Sequence, residues 1–369
     1  MKKLLVLVLL LLSFGLFSTS NATEIGIDGI YSEQYESSGA DSLSDALPSD
    51  IANSLDELDI SGLDISWTEY FTPENIFSHI LDFFKTGGKR PLAAGLSVLA
   101  VMLFSTTVKT IGEQNKTVNY VLSIGVTVAC VLPAVSTIKS CVSVVETVCV
   151  FMLALIPVYA SILVSRGKPL TASGFSAVML SCSNVVSSLC SFVVVPLTGI
   201  QLALSVSSSV SPEIKTESLN RCIKRVSLWI LSLMTTVLLG VLGIQTVVSG
   251  SADSVSSKTA RFLLGTAIPV VGSTVSEAFA TVKGCVKLLG SSVAVYAIVA
   301  LCCLVLPLVI ELLLWRVSML FCASFAETLS QDKCASLLRA VDSAISFVLG
   351  VVILVGILFI ISVTMVAIV

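Results

Sequence analysis

The sequence predicts an all-α fold: a polytopic integral membrane protein with about seven transmembrane helices plus a re-entrant or interfacial segment. Three observations lead there. Hydrophobic blocks, each about long enough to cross a bilayer, run from Pro91 to Val369. Only 12% of the residues are charged, against roughly 25% in soluble domains. Mean hydropathy is +1.00, which excludes a water-soluble fold of this length.

Residues 1–22 read as a secretory signal: Lys2 and Lys3 form a basic start, Leu4 to Phe17 an apolar core, and Ser20-Asn21-Ala22 a small-residue cleavage site. An uncleaved anchor is the alternative, and either one delivers the next segment across the membrane. Residues 23–72 form an acidic, largely disordered extracytoplasmic segment, with short helices expected near Ala46–Leu58. Of the 24 acidic residues of the chain, 14 lie between Glu24 and Asp82, whereas no Lys or Arg occurs between Leu4 and Phe84. Such a segment repels nucleic acid and anionic lipid. Over 73–88, Ile76, Phe77, Ile80, Leu81 and Phe84 recur at helical spacing, bounded by Pro73 and by Gly87-Gly88. This pattern suits an amphipathic helix in the membrane interface, or one packed on protein.

The multi-span domain occupies 91–369, with candidate spans at 91–108, 119–138, 140–164, 171–196, 226–249, 290–314 and 343–367. The stretch 171–210 is apolar throughout. A hairpin turned near Pro196 and Gly199 is preferred there, because it keeps Lys215, Arg221, Lys224 and Arg225 cytoplasmic. Residues 258–289 do not read as an ordinary span. Gly265, Pro269 and Gly272 interrupt a short apolar run, and an amphipathic stripe with Glu277, Lys283 and Lys287 on other faces comes next. A re-entrant or interfacial pair of pieces fits, since irregular backbone is not tolerated against lipid. A similar stripe (Cys334, Leu337, Leu338, Val341, Ile345) precedes the last span.

No enzymatic or cofactor-binding constellation is present: no phosphate loop, no HExxH, no GxSxG elbow. The eleven cysteines all lie at or after Cys130, mostly inside apolar blocks and without a CxxC pair, so they read as small packing residues. The single histidine, His79, is far from all of them along the chain. The informative groups are polar ones at membrane depth. Glu146 lies inside the 140–164 block and must be paired, protonated or wet, as an ion site, as an interhelical hydrogen bond or as a carboxylate reaching back to the surface. Glu311 reads as an interfacial carboxylate near Arg316, and Gln201 and Gln245 as bridges between helices.

The run Leu239-Gly-Val-Leu-Gly-Ile-Gln245, then Lys258-Thr-Ala-Arg-Phe262, then Ile268-Pro-Val-Val-Gly272 resembles the stage III sporulation protein AE family of endospore-forming bacteria. Ser276-Glu277 and the spans around Leu306-Pro307 continue the similarity, which covers roughly 91–369. The resemblance marks Gln245, Lys258, Arg261, Pro269, Gly272 and Glu277 as family-motif positions without catalytic roles. It implies a subunit of the channel or secretion-like complex in the mother-cell membrane around the engulfed forespore. The partners it implies are membrane lipid, the other proteins of the same operon and a forespore membrane protein, with no nucleic acid. A stand-alone secondary transporter with Glu146 as coupling carboxylate is the alternative. A purely structural scaffold shares the features of the first reading.

Overall fold

The computed structural model describes residues 38–49, 51–53, 89–111, 116–210, 217–267 and 272–368. Side chains are described for these except at 41–42, 108–111, 116–120, 122–123, 210, 217, 245–267, 272–292 and 365–368. The proposed signal, the 73–88 helix, Lys215 and Pro269 lie outside the described residues, as do the side chains of Gln245, Lys258, Arg261 and Glu277.

Among the described residues all regular structure is helical. A short 3₁₀ helix (Ala40–Ala46) precedes α1 (Lys89–Ile111), α2 (Lys116–Ser165) and α3 (Pro169–Leu189). A π-helical turn (Cys190–Val194) joins α3 to α4 (Val195–Val210). Three long helices complete the chain: α5 (Glu217–Ala267), α6 (Gly272–Thr328) and α7 (Asp332–Ile368). Six stretches of these are long and apolar enough to cross a membrane.

The helices are longer than the sequence blocks suggest. The expected spans 119–138 and 140–164 are one helix, α2, and the expected hairpin at 171–210 is absent. Helix runs from Pro169 to Val210 without reversal. Proline inside a helix removes a hydrogen bond and clashes with the carbonyl four residues earlier. At Pro196 the widened π turn just before it relieves the clash, and the Thr198 hydroxyl donates to Val194 O at 2.7 Å. Pro133 and Pro157 lie inside α2 and Pro307 inside α6. In hydrocarbon an open turn at any of these would strand backbone groups with no water to satisfy them. The stripe Cys334, Leu337, Leu338, Val341 and Ile345 is wholly buried, in a helix continuous with the last span.

Among the described residues, two sharp reversals are Schellman turns. After α2, Gly167 (φ 74°) donates to Val164 O and Lys168 to Leu163 O. After α6, Ser330 (φ 55°) donates to Glu327 O and Gln331 to Ala326 O. This pairing satisfies the last carbonyls of a helix and needs a left-handed residue, for which glycine suits better than serine. Arg166 at the first turn is buried, and desolvation pushes its guanidinium below the usual value, with Tyr159 opposing.

Helix α7 is the most buried of the spans and α5 the least. Trp315, Tyr159, Phe151 and Phe359 are fully enclosed, and Tyr159 meets Phe175 edge-on at 5.5 Å between ring centroids. Helices α1 and α6 approach at Gly95. A Cβ there would collide with Ser318 Oγ, which donates to Pro91 O at 3.1 Å, and Cys322 Sγ lies 3.5 Å from Gly95 O. Gln331, in the turn before α7, ties that turn to α1 by donating to Met102 O (3.3 Å) and Thr106 Oγ1 (3.0 Å). Within the acidic segment, the 3₁₀ helix lays Leu43 and Leu47 into the core, and Ser161 of α2 donates to Ser38 O at 3.5 Å.

Two substitutions probe these turns and contacts. Replacing Ser330 by Gly relieves a left-handed serine and is expected to stabilise the detergent-solubilised protein by about 1 kcal/mol, read as a raised Tm. Gly95→Val forces α1 off α6 and is expected to destabilise by roughly 1–3 kcal/mol. A Gly95→Val protein with unchanged Tm would show that the two helices do not meet there.

Candidate functional site

The contacts between helices put several of the described charges near one height of the bundle. Along α2 the 42-residue apolar stretch Ile124–Ser165 rises about 63 Å at 1.5 Å per residue. That is twice the roughly 30 Å of a hydrocarbon core. Thr137 sits near its lower third, level with Arg90 across a shared pocket and with Glu311. Arg316, just over one turn beyond Glu311, donates to Asp342 Oδ1 at 2.9 Å. Gln201 of α4 reaches Ala340 O at 3.5 Å, and Asn220 of α5 donates to Ser205 Oγ at 3.0 Å. Arg221, Lys224 and Arg225 come directly after it in α5, and Lys139 lies two residues beyond Thr137. These five cations (Arg90, Lys139, Arg221, Lys224, Arg225) therefore lie within about one helical turn of a common height, all exposed.

This charged waist has apolar surface on both sides. On one side Leu96, Phe104, Val121 and Val128 are exposed, and on the other Val150, Leu180, Trp229 and Val237. Arg221, Lys224 and Arg225 lie in the second and third turns of α5, within helix rather than in a loop. They lie on the outer face of a continuous helix.

A pocket of about 390 Å³ opens at the waist between α1 and α2, with Trp315 of α6 at its floor. Arg90, Ala93, Ala94 and Ser97 line it from α1, and Ala129, Pro133, Ser136 and Thr137 from α2. Behind this lining, Glu311 faces Arg90, Trp315 and Thr137 within electrostatic reach. Among the described residues neither Glu311 Oε1 nor Trp315 Nε1 closes a hydrogen bond, although both atoms are buried. Unpaired polar groups in such surroundings cost free energy.

Glu311 is therefore not paired with Arg316. Five residues apart, the two side chains point about 140° away from each other around the helix axis. Trp315, four residues on, shares the face of Glu311. That spacing was visible in the sequence, whereas Arg90 and Thr137 come from other helices. Glu146, one of the candidates from sequence, is exposed on α2 and lies close to Cys149 and Cys190 at the π turn. It is not part of the pocket lining. Gln201 makes the interhelical bridge expected of it. Gly272 opens α6, while Gln245, Lys258 and Arg261 lie in the second half of α5 and Glu277 in the second turn of α6.

Comparison with known proteins gives two matches and one blank. The family model described as stage III sporulation protein AE matches residues 75–369. Stage III sporulation protein AE of Bacillus subtilis (strain 168) is 25% identical over 222 residues. That alignment covers 60% of this chain and 56% of the relative, so the match spans little more than half of the relative's length. No solved structure matches. With four-fifths of its length, all seven α-helices among the described residues included, under one family model, this membrane protein belongs to the stage III sporulation protein AE family.

Proposed function

We propose that the chain is the membrane subunit of the channel or secretion-like complex built by the mother cell around the engulfed forespore, and that forespore development requires it. The family match over 75–369 carries this reading. Its partners are then the other proteins of the same operon and a protein of the forespore membrane. Packing helices side by side is its main physical task.

The position of Glu146 supports a subunit over a solitary protein. A carboxylate on the outer face of an apolar helix costs about 2.5–3.5 kcal/mol in hydrocarbon. The cost falls when a neighbouring chain supplies a hydrogen-bond donor, and a neutral glutamine can take part in the same bond. A stand-alone transporter remains the second reading. It would need Glu146 to bind and release a proton or ion, which glutamine cannot do.

Glu146→Gln is therefore expected to leave spore formation nearly normal, and the solubilised protein is expected to co-purify with the other operon products. Loss of spores in Glu146→Gln, with the protein still present in the membrane, would favour the transporter. A solitary, monodisperse protein on gentle extraction from sporulating cells would count against the complex.

A further inference from the structure

The groove between α1 and α2 combines a cationic mouth with an apolar trough. Arg90 is exposed at one end. Lys139 is exposed one turn beyond Ser136, on the same face of α2 as that lining residue. From Arg90 the trough descends past Ala93 and Ser97 on one wall and Pro133 and Ala129 on the other. These small residues leave the space, and the exposed side chains of Leu96 and Leu132 lie along the two helices beside it. At the floor Trp315 is completely buried, with its indole beside Glu311.

We propose that this groove binds an anionic phospholipid, its phosphate held by Arg90 and Lys139 and an acyl chain laid in the trough over Trp315. The charge pattern favours this occupant. Arginine pairs with phosphate oxygens through its planar fork, and lysine adds a point charge. Basic pockets between transmembrane helices bind lipid head groups for the same reason. Glu311 faces Arg90 from behind the lining. A soluble phosphate has the charge but nothing to fill the apolar trough.

The test uses the full chain carrying Trp67→Phe and Trp229→Phe, so that Trp315 alone fluoresces, reconstituted in nanodiscs. Phosphatidylglycerol brominated on its acyl chains is expected to quench Trp315 clearly more than equally brominated phosphatidylcholine. The double variant Arg90→Gln, Lys139→Gln is expected to lose that difference while keeping its helical circular dichroism. Should it misfold, Lys139→Gln alone is expected to reduce the difference. Equal quenching by the two lipids, or a difference that survives the substitutions, would overturn the proposal. So would displacement of the quenching lipid by inorganic phosphate, which would mark the site as one for a free anion.

Discussion

Every feature of this fold depends on the fact that hydrocarbon offers the peptide backbone no hydrogen-bond partner. A turn costs little in water and several kcal/mol against lipid. Helices therefore run on where the sequence supplies breakers. Pro133, Pro157 and Pro307 stay inside long helices, and Pro196 is accommodated by a π turn instead of a reversal. Among the described residues, the reversals at Gly167 and Ser330 are closed Schellman turns that leave few carbonyls unmet.

The second constraint is that lipid tails are as apolar as leucine, so helices gain little from hiding leucine from lipid. Association must come from close contact and polar ties. The bundle shows both. Gly95 brings α1 against Ser318 and Cys322, and Gly356 brings α7 against Val305 at 3.3 Å from the site a Cβ would take. Gln331, Gln201 and the Arg316–Asp342 pair then lock the register between helices. The buried cysteines act within the same scheme. Cys130 contacts Met319 at 3.4 Å and Cys322 contacts Gly95 O, as small polarizable packing residues.

The charged waist sets functional questions apart from folding ones. Arg316–Asp342 and Glu327–Arg339 are matched pairs that orient α6 and α7. Lys139, Arg221, Lys224 and Arg225 face outward and form no such pair among the described residues. Exposed cations at this height of a bundle can meet anionic lipid head groups.

Composition and periodicity alone determined that the chain is helical and lives in lipid, because 12% charge over such apolar blocks leaves no other solvent. Motif order was enough to indicate the family, since Lys258-Thr-Ala-Arg261 and Pro269-Val-Val-Gly272 keep their spacing without any contact being known. Span boundaries were legible only in part. Hydropathy counts apolar length, and 42 unbroken residues look the same whether they form two crossings or one long helix. Tertiary structure decided that, and it decided the partners of the polar groups. Glu311 and Arg316 are neighbours in sequence, but helical rotation sends one towards Arg90, 221 positions earlier in the chain, and the other towards Asp342. No local pattern encodes which helix will stand opposite, because that choice is made by the packing of the whole bundle.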